Sequence, residues 1–251
     1  MNAIIIIILA VLGASLGSFF NVLIDRLPRK QSIILPRSRC SSCQKTIPFY
    51  YNIPIFSYII LHGKCRYCSS SIHWHHLLVE IVTPILFIGL HLVYGIDNFL
   101  FYKYALLFCL LIPIFFIDAL HHIIPHLLSI PIIVAGLIFA LFRNRTDIFF
   151  LNAAFTSVTV FCFLFLIAWF YLKVRKTEGL GGGDIWLLTG LGAYFGFINI
   201  PFIILLAALM GIVYFVIFIR SKDMVFAFGN FIALAAIIWT LFGNTILDKY
   251  L

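Results

Sequence analysis

Residues 179–188 read Gly179-Leu180-Gly181-Gly182-Gly183-Asp184-Ile185-Trp186-Leu187-Leu188. Four glycines precede a single carboxylate, and a long apolar run follows it. Glycine lets a backbone take positive φ or approach another group closely. An acid that opens an apolar helix stands at the membrane boundary if that helix spans a bilayer. Ionisable groups there are expensive and point to function. The plain alternative is a flexible turn with Asp184 as an ordinary helix N-cap. The rest of the chain weighs between the two.

Of the 251 residues, 63% are hydrophobic and only 10% are charged. Ordinary soluble domains are nearer half apolar and a quarter charged. The core of this chain therefore lies in lipid, and helices must carry it, because hydrocarbon leaves no backbone group unsatisfied. The expected fold is all-α and polytopic, with the lipid bilayer as its solvent. The net charge of +8 fits either a nucleic-acid partner or basic loops on one membrane face. The clustering of the basic residues favours the second, so no nucleic acid is expected.

Eight spans can be drawn, over 3–24, 77–95, 101–118, 126–142, 152–172, 185–199, 201–219 and 225–243. The first has no Lys or Arg before it and Arg26, Arg29 and Lys30 after it, the reverse of a secretory signal peptide. Gly13 and Gly17 have the spacing that lets membrane helices approach closely. Asn21 follows one turn on, facing the bundle. Simple helix packing is the preferred reading of these three. The stretch 25–76 is the one long polar segment and is basic, so it is expected in the cytosol. The organisation is then a first helix at 1–24, a cytosolic loop at 25–76 and a helical bundle at 77–251. Both termini fall outside. Thirteen of the 17 basic residues fall in the cytosol, with Lys103, Arg143, Arg145 and Lys249 outside. Arg220 and Lys222 are among the cytosolic set.

This alternation puts Asp184 at the cytosolic mouth of its helix and Asp118 at the cytosolic end of the third span. Glu80, Asp97 and Asp147 are further acids in or beside apolar segments. Two carboxylates held close cannot both ionise cheaply, so they share a proton. The charged one takes a proton from water and the protonated one polarises a peptide carbonyl. That is aspartic-protease chemistry. Glycines beside Asp184 would admit an extended substrate backbone. A proton or cation pathway is the rival use of intramembrane Asp. It needs further polar groups along the helices, and Gln is almost absent.

The loop holds Cys40-Ser41-Ser42-Cys43 and, after 21 intervening residues, Cys65-Arg66-Tyr67-Cys68. Two such knuckles fit a tetrathiolate zinc site. Four thiolates close the shell, so the metal is structural. Free thiols or another metal are the alternative. The histidines at 73, 75, 76, 121, 122 and 126 read as interfacial. Glu80, one turn into the second span, is expected to pair with a basic loop residue or with substrate.

Together these residues resemble the bacterial type IV prepilin peptidases, intramembrane aspartic proteases with a Gly-x-Gly-Asp motif. Gly17-Ser18-Phe19-Phe20-Asn21-Val22 and Arg26-Leu27-Pro28 resemble the N-terminal signature. Asn52-Ile53-Pro54, Ser57-Tyr58, Glu80, Asp118 with Pro125, Gly181-Gly182-Gly183-Asp184 and Phe228-Gly229 with Phe231 follow in order. The resemblance implies catalytic Asp118 and Asp184, supported by Gly181 and Gly183. It implies cleavage of a short basic leader from prepilins or pseudopilins at the cytosolic face of the bacterial inner membrane. It further implies N-methylation of the new terminus with S-adenosylmethionine. Three departures stand out. Trp186 replaces a usual Lys, His126 replaces a usual Asp or Asn, and His75-His76 replace an aromatic-proline pair. They leave open a divergent protease with another membrane substrate, or a non-catalytic chaperone of pilin-like helices.

Overall fold

A computed structural model describes residues 2–142, 148–177, 179–218 and 227–250. Arg143, Arg145, Asp147, Arg220 and Lys222 lie outside the described residues. The elements are α1 (Asn2–Arg26), a 3-10 turn (Phe49–Tyr51), α2 (Phe56–Ile60), α3 (Trp74–Tyr94), α4 (Phe99–His121), α5 (His126–Ala140), α6 (Phe150–Arg175), α7 (Gly182–Phe218) and α8 (Gly229–Tyr250). Among the described residues, five helices are long and apolar enough to cross a membrane: α1, α3, α4, α6 and α7. α5 and the stretch Gly229–Gly243 of α8 are shorter apolar segments. The protein is thus an all-helical, multi-pass membrane protein. It divides into two compact units, Met1–Gly95 and Ile96–Leu251.

In the first unit α1 packs along α3. Gly13 and Gly17 make the close approach, as their spacing predicts. A Cβ on Gly13 would stand 2.5 Å from Pro84 Cα, and one on Gly17 would stand 2.8 Å from Glu80 Cα. With no side chains between them, the two backbones gain dispersion contacts that lipid cannot supply. One turn on, Asn21 Nδ2 donates to the His76 carbonyl at 3.0 Å. Arg26 then turns the chain. Its guanidinium donates to the carbonyls of Ser32 at 2.9 Å and Pro36 at 2.8 Å.

In the second unit α7 packs against α5, α6 and α8, and α8 also packs against α4. α4 is the most buried of the long helices, with 61% of its apolar window inside the protein. The Asn98 side chain caps it, accepting from Leu100 N–H at 2.9 Å. Lys103, counted among the basic residues outside, is buried on the helix itself. It lies on α4, 2% exposed, with Nζ 4.9 Å from the Tyr104 ring centre and 6.0 Å from that of Tyr194. Aromatic faces are what make a cation tolerable at such a depth.

The helix break also departs from expectation. The two spans drawn over 185–199 and 201–219 divide at Gly196, not at Pro201. Gly196 has φ 71 and ψ 177, a conformation open essentially to glycine alone. Pro201, five residues further on, keeps helical φ/ψ and does not mark the break. Gly196→Ala should therefore destabilise the protein by about 1–3 kcal/mol, read as a lowered unfolding temperature in detergent. Pro201→Ala should cost clearly less. Equal effects would contradict this placement of the break.

Candidate functional site

Asp118 sits three residues before the end of α4, and Asp184 sits in the first turn of α7. Asp184 is inside the helix rather than at its cap, and its N–H donates to the Gly181 carbonyl at 3.1 Å. Their meeting point is the first residue of α8. A Cβ on Gly229 would stand 3.0 Å from Asp118 Oδ2 and 3.1 Å from Asp184 Oδ1. The separation of the two oxygens is thus bounded by the sum of those distances. The same Cβ would collide with Ile124 Cδ1. Only a residue without a side chain lets both acids reach this point. Asn230 N–H, in the first turn of α8, donates to Asp118 Oδ2 at 2.7 Å. Asp118 is buried and Asp184 half-buried. Helix α8, which packs against both α4 and α7, is therefore the element that brings the acids together.

The glycines of the motif crowd the same place. A Cβ on Gly183 would lie 2.7 Å from Ile124 Cβ, and one on Gly181 would lie 3.1 Å from Asp184 Oδ2. Two departures from the family pattern turn out to be neighbours. The Trp186 and His126 rings meet edge to face at 6.0 Å, and Trp186 also packs on Phe161 at 5.3 Å. The side chain that stands in for a cation thus packs against the one that stands in for an acid.

The four cysteines converge as their spacing predicts, with all sulfurs within 4.8 Å of one another. Cys40 Sγ and Cys68 Sγ are 3.7 Å apart, close to the edge of a tetrahedron with metal–sulfur bonds of about 2.3 Å. The two knuckles repeat one local design. Each is closed by an antiparallel bridge, Arg39 with Thr46 and Lys64 with Ser71. Each places the residue after its second cysteine in the left-handed region, Gln44 at φ 57 and Ser69 at φ 56. Backbone N–H groups turned inward support thiolates. The Cys43 N–H brings the Cys40 thiol down to about 6. Cys43 itself is pushed up to about 11. The Lys45 N–H favours its thiolate, but burial and the neighbouring sulfurs outweigh it. Four thiols so placed cannot all ionise without a cation among them. The donor set fits zinc.

Beside the knuckles lies a cavity of about 240 Å³. Asn21, Tyr51, Tyr58, Tyr67 and Glu80 face it, and Cys40 and Cys65 form part of its wall. Asn21 Oδ1 is buried there without a hydrogen-bond partner. Glu80 lines this cavity and pairs with no basic residue among the described residues. Its Oε2 accepts the Ile55 N–H at 2.7 Å. Ile55 has φ 65 and ψ −54, and Phe56 N–H donates to the Pro54 carbonyl at 2.6 Å. This is a γ-turn of the strained hand with a β-branched residue at its centre. Glu80 therefore anchors the strained turn of the loop to α3.

Sequence reasoning did not single out Asn230 or the steric role of Gly229, although Phe228-Gly229 was in view as a motif. His75 and His76, expected at the interface, also converge on Asp25, a meeting with no signal in the local sequence.

The profile of the Bacterial Peptidase A24 N-terminal domain matches residues 11–94, and that of the Type IV leader peptidase family matches residues 105–216. The chain is 32% identical to a prepilin leader peptidase/N-methyltransferase of Pseudomonas aeruginosa, over 96% of this chain and 91% of the relative. It is 30% identical to one of Neisseria gonorrhoeae, over 93% and 88%. With one of Myxococcus xanthus it shares 35% identity, over 82% and 61%. No solved structure matches the chain. Two family profiles in succession and relatives aligned over nearly the whole length leave one conclusion: the chain belongs to the type IV leader peptidase family.

Proposed function

We propose that the protein is a bacterial inner-membrane prepilin peptidase that also N-methylates its product. The observation that carries the first activity is the approach of Asp118 and Asp184 to a single point at Gly229. One carboxylate takes a proton from water as the water oxygen bonds to the scissile carbon, and the other, protonated, donates to the carbonyl oxygen. The C–N bond then breaks as the first carboxyl passes its proton to the leaving amine and the second recovers its own. The Asn230 N–H holds one acid in place, so it need not reorganise during the reaction. A Cβ on Gly182 would meet nothing within 4 Å, which leaves room there for an extended substrate backbone. The substrate is a prepilin or pseudopilin whose basic leader is cut at the cytosolic face, with the basic loop on that face.

The first unit carries the second activity in this reading. S-adenosylmethionine, when bound, supplies an electrophilic methyl group. The cavity fits such a ligand. The Glu80 carboxylate suits its cationic sulfonium, the Tyr51, Tyr58 and Tyr67 rings suit an adenine face, and the orphaned Asn21 Oδ1 can accept a hydrogen bond. Zinc on Cys40, Cys43, Cys65 and Cys68 holds the cavity wall and takes no part in chemistry.

Cleavage of a prepilin by the purified protein in detergent tests the peptidase. Asp118→Asn and Asp184→Asn should each lose about 10³-fold or more in kcat/KM, since each removes a proton-transfer group and its charge. Near-full activity in either variant overturns the pair. Gly229→Ala should lose about 10²-fold, because its Cβ displaces both carboxylates. Cys40→Ser tests the division of labour. It should release zinc and abolish S-adenosylmethionine-dependent methylation while cleavage stays within a few-fold of wild type. Unchanged methylation in zinc-free protein would contradict the role given to the knuckles.

A further inference from the structure

A second group of metal-binding side chains gathers in the first unit, away from the thiolates. Asp25 ends α1, and His75 and His76 lie in the first turn of α3. His75 Nε2 is 3.9 Å from Asp25 Oδ1, and His76 Nε2 is 3.7 Å from Asp25 Oδ2. The three donor atoms lie within 4.8 Å of one another. These separations are too long for hydrogen bonds. His75 is only 9% exposed, and its Nε2 has no hydrogen-bond partner. A buried ring nitrogen left in that state costs free energy unless a polar ligand or cation meets it. The imidazoles do not bond each other, since their rings overlap at 4.3 Å and 30°. His73 stacks on the outer side of His75 at 5.5 Å.

The spacing is that of a metal shell waiting to contract. Donors at about 2.0–2.1 Å from tetrahedral zinc lie about 3.4 Å from each other, so movements of a few tenths of an ångström close both Asp–His pairs. The histidine turn is already held against α1, because Asn21 Nδ2 donates to the His76 carbonyl. The Asp25 side chain is 44% exposed, which leaves an ion a way in.

We propose that Asp25, His75 and His76 form a second metal site for a divalent cation of the zinc class. Two imidazoles and one carboxylate suit such an ion and leave at least one coordination position for water or another ligand. Asp25 and His76 also line the cavity that Glu80 and Asn21 face, so that ligand can come from the cavity. The ion would join the last turn of α1 to the first turn of α3, where the polar loop leaves and returns. Its binding free energy would then hold the base of the loop closed, as the tetrathiolate holds its tip.

Metal counting on the full-length protein, purified in detergent without a histidine tag and equilibrated with micromolar free zinc, tests the site. Wild type should hold two zinc ions per chain. His75→Gln and Asp25→Asn should each hold one. A single zinc in wild type overturns the site, as does a second zinc that persists in both variants. Should a variant misfold and lose both ions, cobalt titration of wild type decides. One equivalent should give strong thiolate charge-transfer absorption, and a further saturable equivalent should give the weak visible bands of nitrogen and oxygen ligation. A titration that ends with the thiolate bands alone overturns the proposal.

Discussion

Two carboxylates at one point in an apolar bundle are unfavourable as a doubly charged pair, and the second unit is arranged around keeping them there. Asp118 ends the most buried of the long helices, and Asp184 begins the longest one. Neither helix alone brings the acids together. The N-terminus of α8 does, by offering a residue with no side chain and then an N–H to one acid. The proposed chemistry depends on this, because a shared proton requires two carboxyl groups in one low-dielectric place.

Much of this was legible in the sequence. A lone acid after four glycines, another acid near the end of an apolar run, and two cysteine knuckles each have a short-range signature. The structure brings each set together. What the sequence hid was long-range or conformational. Pro201 is the obvious helix breaker, yet the chain breaks at Gly196, whose strained φ/ψ pair demands glycine. Lys103 looks like a charge at the membrane edge, and its burial beside two aromatic faces from different helices has no local signature. Asp25, His75 and His76 are some fifty residues apart in the chain, so no local spacing announces their meeting.

The first unit shows how a polar loop folds with little apolar core. Small domains of this kind need a staple. The two knuckles, alike in bridge and in left-handed residue, present four sulfurs within 4.8 Å of one another. The strained Ile55 turn is tied back to α3 by Glu80. Backbone strain of this kind persists only where the surroundings over-determine it, and here it directly follows the Asn52-Ile53-Pro54 stretch that carries part of the family resemblance.

The central claim is that Asp118 and Asp184 act as a pair holding one proton. The pH dependence of kcat/KM for prepilin cleavage tests it most directly. A pair that needs one charged and one protonated carboxyl gives a bell, because activity falls when both are protonated and again when both are ionised. A rate that rises to a plateau and stays there to high pH, as a single general base would give, would contradict the account.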